Sequence, residues 1–169
     1  MDTGSAKKDT DCASRARRAR HVSASTRRNA LTSGTVVLTL DGALPVEFIS
    51  EGDRVITRDS GVATVRAVRR SREVLRTILI KAGSLGKARP DRDVILVAGQ
   101  EILVRDWRAM ALFGASQALV PVERMVDGEF VREVATREVE TVALIFDAPH
   151  ILYADGLELA SADAVVPAG

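Results

Sequence analysis

The sequence predicts an all-β domain, and three observations carry that expectation. Apolar residues recur in short runs rich in Val, Ile, Leu and Thr. Turn signals separate these runs: Asp41-Gly42, Gly52-Asp53, Ser60-Gly61 and Asp127-Gly128. Helical spacing is confined to Asp106–Phe113 and a single turn after Pro121. Many short strands with turn punctuation and few helices indicate an all-β architecture.

Taken in chain order, Thr32-Ser33-Gly34 is a polar turn leading into a β-type run from Thr35 to Leu40. Val36, Leu38 and Leu40 lie on one face of that run, and Thr35, Val37 and Thr39 on the other. After Asp41-Gly42, Pro45-Val46-Glu47-Phe48-Ile49 makes a compact corner, and Arg54–Thr57 is a second strand. Val62–Val68 is a third, followed by Arg69, Arg70 and Arg72 as a solvated edge or loop. Leu75–Lys81 is a strand, residues 83–92 form a loop containing Pro90, and Asp93–Val97 and Glu101–Val104 are strands. No helical pattern follows the glycines of that loop, so they do not read as a phosphate loop. Asp106 can cap a helix that Gly114 ends. Its Trp107, Met110 and Ala111 fall at i, i+3 and i+4, the spacing of a face packed on a core. Ala118–Val120 is a short strand, and Pro121 opens one helical turn through Val126. Val131–Val134, Val139–Phe146 and Ile151–Ala154 complete the strands.

The opening stretch carries a family resemblance. Gly34-Thr35, Asp41-Gly42, Pro45-Val46-Glu47, Gly52-Asp53 and Thr57-Arg58-Asp59 stand in the order seen at the start of Hint domains, the module shared by hedgehog C-terminal regions and inteins. The resemblance covers most of residues 30–161. Asp93–Glu101 looks like the family's central block. Leu112-Phe113-Gly114 and Leu119-Val120-Pro121-Val122 look like the segment that follows it in the bacterial Hint branch. Phe146-Asp147-Ala148-Pro149-His150 and Tyr153-Ala154-Asp155-Gly156 look like the C-terminal block. The fold implied is Hint-like, with many short strands and one or two short helices.

The chemistry that the resemblance implies is self-processing. The family's first residue, a Cys or Ser, attacks the carbonyl before it, which requires a lone pair and a removable proton. This chain has Ala30 there, so the equivalent bond is Asn29–Ala30. The family's Ser/Thr-x-x-His motif supplies a proton to the departing amide nitrogen. The matching positions are Ala98-Gly99-Gln100-Glu101, and Glu101 could donate a proton only if burial raised its pKa. The terminal His-Asn of inteins is matched by Ala160-Ser161. Asp147 and His150 stand where the C-terminal block often has an acid and a His, and each also suits a structural role, in a turn and at a strand start. Thr32, Ser33 and Thr35 are candidate substitute nucleophiles, although a Ser beside a Gly ordinarily serves turn geometry. The vestigial site is therefore Ala30, Ala98, Glu101, Asp147 and His150, and the expected function is a self-processing lineage with its cleavage lost, acting as a binding or structural module. The alternatives are a living autoproteolytic domain using Ser33 or Thr35, and a nucleic-acid or acidic-partner binder.

Composition fits this plan. The 169 residues suffice for one domain with a sizeable core. With 46% hydrophobic but 4% aromatic residues, that core is built from Val, Leu, Ile and Ala. Residues 1–29 carry eight Lys/Arg against three Asp, and residues 30–169 carry sixteen against twenty acids. The chain thus reads as a flexible basic arm, 1–29, a Hint-like domain, 30–163, and a short tail, 164–169. Residues 14–28 of the arm are expected to bind polyanions weakly, since Arg neutralises phosphates but no aromatic residue is interleaved for stacking. One cysteine, Cys12, excludes an internal disulfide or a cysteine metal cluster, and no cofactor is expected. No apolar run approaches the ~20 residues of a membrane span, and no signal-peptide pattern opens the chain, which favours the cytoplasm.

Overall fold

The computed structural model describes residues 29–163. The basic arm, Cys12 and the tail at 164–169 lie outside the described residues. The rest is an all-β domain of fourteen strands with one α-helix. The strands are β1 (Leu31–Thr32), β2 (Val36–Thr39), β3 (Gly42–Pro45), β4 (Arg54–Thr57), β5 (Gly61–Thr64), β6 (Ala67–Leu75) and β7 (Thr77–Ile80). They continue as β8 (Val94–Val97), β9 (Glu101–Val104), β10 (Ala118–Pro121), β11 (Val131–Glu133), β12 (Arg137–Ile145), β13 (Ile151–Ala154) and β14 (Leu157–Ala160). Helix α1 is Trp107–Phe113.

The strands form three sheets. One runs β10-β9-β14-β13-β2-β4-β5, with β3 paired to β2; a second runs β1-β12-β6; a third runs β11-β7-β8. Local turns explain the hairpins. Between β2 and β3, Gly42 adopts φ 106°, and the Thr39 hydroxyl donates to the Gly42 carbonyl at 2.7 Å. The core is aliphatic, as the composition requires: Val37, Ile49, Val55, Ile78, Leu96, Ile102, Leu144 and Leu152 are buried, with Phe146 among them.

The structure defines which faces point inward, and it corrects one expectation, at the helix. The core face of β2 is the one carrying Thr35, Val37 and Thr39, while Leu38 and Leu40 are exposed. Thr39 can be inside because its hydroxyl is spent on the turn. Of the two readings of Arg69, Arg70 and Arg72, the solvated edge holds: they belong to β6, an edge strand paired with β12 over nine positions from Ala67↔Ile145 to Leu75↔Arg137. Their side chains face solvent, as a charged edge should. Helix α1 starts and stops where expected: the Asp106 carboxylate accepts from Arg108 N–H at 2.9 Å, and Gly114 turns left-handed at φ 67°. Its apolar stripe, however, faces outward. Trp107 is 69% and Met110 59% exposed, and Ala109 is the helix residue that is buried.

Candidate functional site

Asn29 and Ala30 enter the domain just before β1, and both are buried, with 6% and 5% of their surfaces exposed. β1 fixes them there by pairing Leu31 and Thr32 with Val142 and Thr141 of β12. The Asn29 carboxamide then closes a ring with the first residue of β9. Glu101 N–H donates to Asn29 Oδ1 at 2.9 Å, and Asn29 Nδ2 donates to Glu101 Oε1 at 3.1 Å. Gln100, wholly buried in the turn before β9, donates through Nε2 to the carbonyls of Glu101 at 3.0 Å and Ala160 at 2.9 Å. The opening, central and C-terminal blocks thus converge on one place.

Beside Ala30 lies a cleft of about 300 Å³. Arg69, Arg70 and Ser71 of β6, Thr141 and Ala143 of β12, and Ala162 line it with Asn29 and Ala30. The Ala30 methyl offers neither a lone pair nor a proton to the adjacent bond. Glu101 meets Asn29 as an acceptor through Oε1. Ala98 is buried in the turn that leads to Glu101, its N–H on the Arg76 carbonyl at 3.0 Å.

Asp147 and His150 are placed elsewhere. Asp147 is exposed and receives both Nε and Nη2 of Arg66 at 3.0 Å. His150 opens the approach to β13: its Nδ1 lies 2.8 Å from Asp59 Oδ2, and its main chain bonds Ser161 in both directions. Asp59 also accepts from Ile151 N–H at 3.0 Å. Partial burial works against its ionised form, but the Ile151 N–H and the His150 ring outweigh burial and hold its carboxyl below the ordinary value. Neither Asp147 nor His150 lines the Ala30 cleft.

Thr32, Ser33 and Thr35 line a separate depression with Arg92 and Asp155. The Thr32 hydroxyl donates to the Ile95 carbonyl at 2.8 Å, and Thr35 is buried against it at 3.2 Å. Gly34 N–H donates to Glu47 Oε2 at 2.8 Å, which draws the Glu47 carboxyl below its ordinary range. The polar turn and the Pro-Val-Glu corner therefore brace each other. Among the described residues no group of three His, Cys, Asp or Glu is placed to hold a metal ion, and no helix is long and apolar enough to cross a membrane.

Sequence reasoning missed the parts played by Asn29, Gln100 and Asp59. Asn29 is visible only as the neighbour of Ala30, and Gln100 only as the middle of an altered motif. Asp59 ends the opening block, yet nothing local reveals that it reaches His150.

The fold matches solved structures over nearly their whole length. An intein-like domain from Clostridium thermocellum superposes with a TM-score of 0.56 at 17% identity, covering 80% of this chain and 99% of that one. The MchDnaB-1 intein gives 0.53 at 14% identity, covering 78% and 99%. The gp41-1 intein gives 0.51 at 16% identity, covering 77% and 96%. No curated protein matches the chain. The model of the Hint domain family matches residues 29–164, the stretch that holds every strand of the fold and the converging blocks around Asn29 and Ala30. The chain belongs to the Hint domain family.

Proposed function

We propose that this Hint domain has lost nucleophile-driven self-cleavage and works as a binding or structural module. One observation carries the reading: at the family's cleavage position, the buried Ala30 methyl sits where attack requires an ionisable side chain, and Asn29 is tied back to Glu101. An acyl shift needs a nucleophile beside the carbonyl and a proton for the leaving nitrogen. Ala30 supplies no nucleophile. Glu101, engaged by the Asn29 amide, replaces the His that would deliver the proton. The substitute nucleophiles fit poorly, since Ser33 and Thr35 line a depression that shares no residue with the Asn29–Ala30 cleft.

The test is intact mass after long incubation, with and without added thiol or hydroxylamine. The reading expects the full-length mass in all conditions. Fragments separating at Asn29–Ala30, or at Ser33 or Thr35, overturn it in favour of a living autoproteolytic domain.

A further inference from the structure

A second pocket, of about 460 Å³, shares no residue with the Ala30 cleft and stands independently of the reading above. It lies between the loop Gly83–Arg89, strand β9, the start of α1 and the start of β14. Its size falls in the range of small-molecule sites, ~300–1,000 Å³. Its walls are apolar where Leu85, Ile102 and Met125 face it, and Trp107 stands at its edge.

The charges around it do not balance. Lys87, Arg89, Arg105 and Arg108 line it against Asp106 and Glu158. Glu158 is a buried carboxylate, 4% exposed, held by Arg105 through Nη2 at 2.6 Å and Nε at 2.9 Å. Arg108 is taken up by Asp106 at 2.6 Å and braces the loop through the Ser84 carbonyl. That leaves Arg89, 3.8 Å from the already engaged Glu158, and Lys87, which has no acidic partner among the described residues. Arg58 adds a further cation 3.4 Å from Glu158. Counting the lining alone, four cations face two carboxylates, so two positive charges remain beside the apolar walls, and low-dielectric walls strengthen their field.

The loop is also held in an uncommon conformation. Lys87 and Ala88, both non-glycine, take consecutive positive φ angles of 51° and 58°. Such backbone persists where the surroundings over-determine it, and it recurs at ligand clamps. The Ser84 hydroxyl oxygen, buried in the same wall, has no hydrogen-bond partner among the described residues.

We infer that this pocket binds a small organic anion with a flat apolar body, its carboxylate, sulfonate or phosphate taken by Arg89 and Lys87 and its body laid between Leu85, Ile102 and Trp107. Charge-assisted contacts fix the head group, and the indole covers the body. Trp107 is the sole tryptophan of the chain, so its emission reads this pocket directly.

The probe is 8-anilinonaphthalene-1-sulfonate, an aromatic anion, added to the full chain while Trp107 emission is followed. The expected result is saturable one-to-one quenching that inorganic phosphate competes away. Lys87→Gln with Arg89→Gln removes both charge-assisted contacts and should weaken it well over tenfold, since one such contact alone is worth about tenfold or more. Arg72→Gln, on the β6 edge, controls for total charge and should leave it unchanged. The uncharged N-phenyl-1-naphthylamine should bind at least about tenfold more weakly than the sulfonate. Far-ultraviolet circular dichroism checks each variant's fold; should the double variant unfold, the solvent-exposed Lys87→Gln alone carries the test. Absence of Trp107 quenching, equal binding of the neutral probe, or equal loss in Arg72→Gln overturns the proposal.

Discussion

Restoring a nucleophile at Ala30 tests the loss of cleavage most directly. Ala30→Cys places a thiol beside the Asn29 carbonyl, and the adjoining cleft of about 300 Å³ leaves room for the sulfur. On the proposed reading, the proton for the leaving nitrogen is still missing. Absence of one general acid or base typically costs ~10²–10⁴ in rate, about 3–5 kcal/mol of barrier. Ala30→Cys alone should therefore release little of residues 1–29 even with thiol. Glu101→His supplies an imidazole in the position that now contacts Asn29. It also removes the acceptor of Asn29 Nδ2, which costs about 1–3 kcal/mol for a buried donor left unpaired. A domain with roughly 5–15 kcal/mol of stability tolerates that, so the double variant should stay folded and cleave about a hundredfold or more faster than the single one. Ala98→Thr should raise the rate again by orienting the ring. The assay is thiol-dependent release of residues 1–29, read by mass over time, with circular dichroism as the fold control. A folded triple variant that stays intact refutes the assignment of Ala98–Glu101 to the proton-donor motif. Release from the unaltered chain refutes the loss of cleavage itself.

Three further expectations follow from particular contacts. Glu158→Ala removes the buried carboxylate that gathers Arg58, Arg89 and Arg105, and because those arginines still reach water it should destabilise the domain by about 1–3 kcal/mol in a thermal or urea melt; a change within experimental error would show that the cluster adds nothing to stability. Asp59 has a folded-state pKa below the ordinary 3.8, so the unfolded chain takes up its proton more readily. Its contribution is present above that value and disappears as pH falls through the folded pKa; Asp59→Asn should flatten the acid limb of a stability–pH curve, and an unchanged limb contradicts this. The arm, if it binds polyanions through about four to six phosphate contacts, should show a log–log salt slope of roughly −4 to −5 on duplex DNA, with binding lost on deleting residues 1–29; no binding at low salt sinks that proposal.

What could be read from the sequence was what the chain specifies locally. Asp106 and Gly114 delimit α1 because capping depends on a few neighbouring atoms. Which way the helix faces depends on what lies beneath it, and here the surface below accommodates Ala109 while Trp107 and Met110 stay outside. β14 escaped notice because Glu158 interrupts Leu157-Glu158-Leu159-Ala160, yet all four residues are buried once Arg105 reaches the carboxylate. β1 is two residues long and exists through its pairing with β12. At the site, Ala30 and Glu101 were legible as departures from a known order of residues. The Asn29–Glu101 ring was not, since its partners lie 72 residues apart.

The cleft at Ala30 has a consequence in time. Its walls come from residues 29, 30, 69, 70, 71, 141, 143 and 162, and Gln100 ties in Ala160. No fragment shorter than residues 29–162 contains all of it. During synthesis, β1 waits for β12 before it has a partner, and the segment after β14 follows every strand of the domain. Contacts of such long sequence separation form slowly, because the loop must close before any contact repays it. A ligand of the Ala30 cleft would therefore bind closed domains and ignore partly made or truncated ones, making occupancy of the cleft a readout that the domain has closed.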